Sequence, residues 1–161
     1  MLNKLNKWFK KEGWFIEYNN KPAELNVELI QRYGIIDEQY MKFLNKYKRV
    51  ISKDEKTWFI CCQEYNGDSE YAFSWNEFEN LSLEAAADDE KWKKEISEWW
   101  DKKMPIIMSV KDRYCFYALD LSQDKKGTVV RGEEPEFEET EIVADSFNDF
   151  LYKVINKQVI L

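Results

Sequence analysis

The 161-residue chain contains no histidine. That absence excludes Ser-His-Asp and Cys-His nucleophilic sites, and any metal centre built on imidazole. An enzyme made from this sequence has to work with carboxylates, lysine, tyrosine or cysteine. Cysteine is scarce too: Cys61, Cys62 and Cys115 supply neither a disulfide framework nor metal-ligand spacing. In an extended segment the adjacent pair points to opposite faces, which suits buried free thiols in a reducing cytosol rather than a ligand pair. No stretch approaches the apolar length of a membrane span. The N-terminus has lysines but no apolar run, so no secretory signal and a cytoplasmic location are expected. A basic stripe is also missing. The formal charge of -7 and pI near 4.9 argue against a nucleic-acid binder, which needs cations to replace counterions. There is no internal repeat, linker or low-complexity tract.

What is abundant is aromatic. Seven Trp, nine Tyr and ten Phe accompany a hydrophobic content of 44%, which demands a folded core able to take most of those rings. The length suits one domain over residues 1–161. Leu2, Leu5 and Phe9 share a helical face with Trp8 beside them, and Gly13 offers a stop. Lys4, Lys7 and Lys11 share another face; the apolar face is narrow and short for a membrane-surface helix, so packing on the domain is expected. Trp14–Tyr18 reads as a strand. Asn26 and Asp37 are caps for two helices, the first stopped at Gly34 and the second carrying Tyr40, Phe43, Leu44 and Tyr47. Thr57–Cys62 reads as a buried strand with a turn near Asn66-Gly67. Ser74–Glu77 has the form of a capping box for a helix through about Ala87. Asp88 or Asp89 opens another helix, with Trp92, Ile96, Trp99 and Trp100 in one stripe.

The last third is the most ordered part of the pattern. Met104–Met108 and Tyr114–Leu121 read as strands, the second apolar on both faces as a central strand is. Gly127–Val130 reads as a short third strand. Ser146 and Asp149 form a box-like start to a final helix, with Phe147, Phe150, Leu151, Val154 and Ile155 on its apolar face. The expected fold class is α+β, a mainly antiparallel sheet packed against several helices, monomeric or weakly dimeric.

Candidate catalytic groups are weak. Asp112 with Asp120, or Glu77 with Glu79, are carboxylate pairs of the kind a sugar-cleaving site uses, but nothing in the sequence fixes their separation. Asp120–Asp124 lacks EF-hand spacing and the terminal glutamate of a calcium loop. No cofactor or metal is expected. The sharpest charge feature is the run Glu133, Glu134, Glu136, Glu138, Glu139 and Glu141, with Arg131 just before it. If this segment is extended, Glu134, Glu136 and Glu138 line one face. Such a face attracts a basic groove by imitating phosphate, or it is a solvated edge kept soluble by charge. The Trp99-Trp100 pair is either core or a binding hot spot, since adjacent helical positions cannot both point fully inward. Asp88-Asp89-Glu90 is explained by favourable charge at a helix start.

The order Pro105-Ile106, Asp120, Gly127 with Val129, and Ala144 through Leu151 resembles the SUKH superfamily, the Smi/Knr-like group. The segment Gly34–Leu44 is similar to the family's N-terminal pattern, with Ile35-Ile36 and Tyr47-Lys48 where that pattern has Leu-Pro and Asn-Gly. The resemblance implies a small intracellular binding protein without enzymatic activity. Bacterial members of that group look like immunity proteins that sit on a toxin domain, often a nuclease or deaminase, and fungal ones like scaffolds in cell-wall signalling. It implies a protein partner; with this chain's acidity that partner is expected to be a basic toxin domain, and no nucleic acid or membrane is expected as a ligand.

Overall fold

Seven strands follow one another in the sheet in the order in which they occur in the chain, every neighbouring pair antiparallel. The computed structural model describes residues 1–70 and 73–161, and the seven strands are those among these described residues. The strands are β1 (Phe15–Tyr18), β2 (Tyr47–Ile51), β3 (Thr57–Phe59), β4 (Lys103–Ser109), β5 (Cys115–Asp120), β6 (Val129–Glu133) and β7 (Glu141–Ala144). Helix α1 (Leu2–Lys11) precedes them, and α2 (Val27–Tyr33) and α3 (Glu38–Lys46) lie between β1 and β2. The short α4 (Cys62–Tyr65), α5 (Glu77–Ala85) and α6 (Glu90–Trp100) lie between β3 and β4, and α7 (Phe147–Ile155) follows β7. The fold is α+β, as the alternation of patterns predicts.

Helices cover both faces of the sheet, and alternation along the strands shows how. In β5, Phe116 meets Phe78 of α5 and Trp100 of α6, whereas the next residue, Tyr117, meets Phe150 of α7. In β3, Phe59 packs on Phe9 of α1 and Phe43 of α3, while Trp58 faces Phe73 on the other side. A strand covered on both sides has no reason to alternate, and all seven residues of β4 are buried. Pro105 is tolerated in that central strand because it sits at a register shift against β5. Its carbonyl oxygen accepts from the Tyr65 hydroxyl.

The caps behave as side-chain chemistry dictates. Asn26 Oδ1 accepts from Leu29 N at 2.7 Å, Asp37 Oδ1 from Tyr40 N at 2.9 Å, and Ser146 Oγ from Asp149 N at 3.1 Å. Asp89 is the cap of α6. Two readings need correction. The strand expected through Cys62 ends at Phe59, because the Glu64 carboxylate accepts from Cys61 N at 2.7 Å and turns the chain into α4. The α6 stripe is interrupted: Ile96 and Trp100 are buried, Trp99 is half-buried and Trp92 is exposed. Among the described residues no helix is long and apolar enough to cross a membrane.

Candidate functional site

The acidic run does not form one extended face. Extended pairing ends at Glu133 and resumes at Glu141; between them the chain makes a turn closed by Glu139 N donating to Glu136 O at 3.0 Å, with a cis Glu134–Pro135 bond. Glu134, Glu136 and Glu138 therefore do not share a face. The reason lies one residue away. Phe137 is buried and stacks on Phe78 of α5, ring centroids 4.8 Å apart and planes 6° off parallel. Burying that ring draws the loop down onto the sheet, and Gly132 permits the approach. A Cβ at Gly132 would stand 2.5 Å from both the Phe116 ring and the Phe137 carbonyl oxygen.

Anchoring divides the six glutamates into two sets. Glu133 takes a 2.6 Å ion pair from Arg131, Glu134 accepts from Tyr114 N at 3.1 Å, and Glu138 accepts from Trp100 Nε1 at 2.7 Å. Glu134 and Glu138 fasten the loop to the residue before β5 and to α6, while Glu133 closes on Arg131 of its own strand, β6. Glu136 and Glu139 are exposed at the turn, and Glu141 is exposed at the start of β7, 3.7 Å from Arg131. Burial is the largest single influence on Arg131 and lowers its pKa, but the hydrogen bond to Glu133 and the nearby Cys115, Tyr117 and Glu133 together outweigh it, so the guanidinium is held more firmly charged than usual. It compensates Glu133 and only grazes Glu141, so excess negative charge gathers on the outer carboxylates.

The tryptophans separate as well. Trp100 is 1% exposed and lies against Phe116, ring centroids 4.8 Å apart. It belongs to the core, not to a free surface. Trp99 stays at the rim, half-buried, with Lys103 Nζ 4.8 Å from its ring centroid. Lys103 in turn pairs with Asp120 at 3.3 Å, both almost wholly buried.

The other acid pairs are not assembled. Asp112 lies in the exposed turn before β5 and Asp120 is buried at that strand's far end, roughly 20 Å away for six extended residues. Glu77 is engaged by the Ser74 hydroxyl at 3.0 Å, whereas Glu79 is clamped by two nitrogens of Arg32 at 2.9 and 2.6 Å. Asp120 spends its carboxylate on Lys103 and on the N–H and hydroxyl of Ser122. No cluster of three or more metal-ligating side chains occurs among the described residues.

Sequence reasoning missed one surface. Val27 and Ile30 lie three residues apart on α2 and both are exposed, as is Ile35 just beyond it at 89%. The signal was present in the short helix, where Leu29 and Tyr33 alone account for the buried face.

The family model described as SMI1 / KNR4 family (SUKH-1) matches residues 22–153. No curated protein matches the chain. The matched span runs from the approach to α2 into α7, and includes the whole acidic loop and Trp99 and Trp100.

Proposed function

We propose that this chain, which belongs to the SMI1/KNR4 family (SUKH-1), is an intracellular, non-enzymatic immunity protein that binds and neutralises a toxin domain of nuclease or deaminase type. The observation that carries the reading is the loop between β6 and β7. Its backbone is fixed by the buried Phe137 and by Glu138 on Trp100, while Glu136, Glu139 and Glu141 face solvent. A fixed acidic loop loses little freedom on binding and presents charge to a basic groove that otherwise holds phosphate. Trp99 at the nearby rim adds an aromatic contact. The protein acts as a monomer or weak homodimer, with no nucleic acid or membrane as its own ligand.

A second reading, a regulatory or scaffold protein of the same fold, is favoured by the exposed apolar side chains Val27, Ile30 and Ile35, which suit a partner not chosen by charge. One capture experiment separates the two. The chain is used as bait at low and high salt, as wild type, as Glu136→Lys/Glu139→Lys/Glu141→Lys, and as Val27→Glu/Ile30→Glu. A basic nuclease or deaminase domain released by salt and by the lysine variant supports immunity. A partner indifferent to those charges and lost with the α2 variant overturns it in favour of the scaffold. Glu134 and Glu138 are left intact because their loss would disturb the loop itself.

A further inference from the structure

A half-open cavity of about 630 Å³ lies where α1 and the turn after it meet the end of α7 and the residues beyond it, with the β2–β3 turn and the turn after β4 at its rim. Its apolar wall is made by Trp8 and Trp14, ring centroids 5.7 Å apart, faced by Val154, Val159 and Leu161. The chain after α7 is held there by several fastenings. Lys157, with φ +59°, turns it back so that the N–H groups of Gln158 and Val159 both donate to Lys153 O. Lys157 Nζ pairs with Glu12 of the α1 turn at 3.4 Å, and Tyr117 donates its hydroxyl to Ile160 O at 3.1 Å. A wall pinned at these points and still standing off the sheet leaves a built space.

Charge at the rim selects the occupant. Lys53 comes from the β2–β3 turn and Lys111 from the turn after β4, both exposed. Among the described residues neither ammonium has a carboxylate within ion-pair distance. Two acidic side chains also stand at the cavity. Glu12 holds Lys157, and Asp54 accepts from the Ser52 hydroxyl at 2.5 Å while feeling Lys111 at longer range. Gly13, φ +77°, lets the chain turn after α1, and the Lys53 stem lies 3.6 Å from where a Cβ would stand on it. Counting side chains, Lys53, Lys111 and Lys157 stand there against Glu12 and Asp54, one positive charge in excess in a chain of net charge -7.

We infer that this cavity is a binding site for a small amphipathic anion, an acyl or aryl group carrying a carboxylate, with the apolar body between Trp8, Trp14 and Val159 and the anionic head between Lys53 and Lys111. The volume lies in the range of small-ligand sites. The site shares no residue with the acidic loop, so it stands or falls independently of the toxin-binding reading.

Calorimetric titration with octanoate, octan-1-ol and octylammonium on the full chain tests it. Octanoate binds saturably and raises the melting temperature; the alcohol binds more weakly and the ammonium least. Lys53→Gln/Lys111→Gln lowers octanoate affinity about tenfold and leaves the alcohol unchanged. Val159→Trp, which crowds the apolar wall beside Trp8 and Trp14, weakens binding of both while the fold, followed by circular dichroism, persists. Absence of saturable octanoate binding to the wild type overturns the inference, as does an affinity order insensitive to head-group charge or to the two lysines. If Val159→Trp unfolds, the lysine variant alone decides.

Discussion

The indole nitrogen of Trp100 donates to Oε1 of Glu138 across 2.7 Å, so a residue of the acidic run is a structural acceptor for a core tryptophan. Without that oxygen the buried N–H has no partner. Glu138→Ala is expected to cost about 2 kcal/mol, the penalty of an unsatisfied buried donor. Glu138→Gln keeps an acceptor oxygen and is expected to cost about 0.5 kcal/mol or less. Urea denaturation midpoints of the two variants check this. Equal losses would mean that charge, rather than acceptor capacity, is what the site uses.

Gly132 is needed for close approach, not for an unusual backbone angle. An alanine methyl there meets the Phe116 ring and the Phe137 carbonyl at 2.5 Å, and the carbonyl belongs to backbone that cannot step aside cheaply. Gly132→Ala is expected to destabilise by about 2 kcal/mol or more through overpacking. Gly127→Ala is the control: it has open space around it but φ +91°, and is expected to cost about 1 kcal/mol from backbone strain. Thermal melts of the pair check the order, and a Gly132→Ala melt at or above that of Gly127→Ala would refute it.

Much of this fold was legible because its signals are local. The caps Asn26, Asp37, Asp89 and Ser146 sit where short polar side chains precede apolar periodicity, and each accepts the backbone N–H its spacing requires. The strands in 104–108 and 114–121 announce themselves by apolar runs too continuous for an exposed sheet. What stayed hidden depends on contacts distant in sequence. Nothing near Glu138 indicates that Trp100, 38 residues earlier, claims its carboxylate. Nothing in the run itself says that Phe137 is buried on Phe78 and so bends it. Counting charges found the acidic segment; dividing its carboxylates into anchors and free groups required the packing. The cavity beside Trp8 was illegible for the same reason, since its walls come from both ends of the chain.

Arg32 ties α2 to α5 through Glu79 and to the end of α6 through Asp101 at 2.8 Å. Burial is the largest single influence and works against its charge, but the hydrogen bond to Glu79 and the nearby Tyr33, Glu79 and Asp101 together hold the pKa above its ordinary value. Arg32→Leu strands the buried Glu79 carboxylate and is expected to cost about 2 to 3 kcal/mol. That is below the range for fully buried pairs, because 22% of the Arg32 side chain still reaches solvent. Arg32→Leu/Glu79→Leu removes the stranded charge and is expected to recover more than half of the loss. A double-mutant cycle in urea measures the coupling, and strictly additive effects would show that the pair contributes only as packing.

Glu64 gives the fold a pH dependence of a particular sign. The residue is 4% exposed, and burial raises the pKa of its carboxyl above the ordinary value, against the opposing hydrogen bonds from Gln63 and Cys61 N. A carboxyl whose folded pKa is raised favours the folded state below its unfolded pKa and loses that contribution as pH rises through the folded one. At neutrality the ionised form is therefore a burden that Glu64→Gln relieves, because a Gln oxygen still accepts from Cys61 N. The stability difference between Glu64→Gln and wild type is expected to favour the variant most near about pH 7 and to shrink as pH falls into the ordinary glutamate range near about 4.3. Taking the difference cancels every other carboxylate that titrates alike in both proteins. A difference that stays flat between those limits would mean that Glu64 ionises no less readily folded than unfolded, and that α4 is held by geometry without an electrostatic cost.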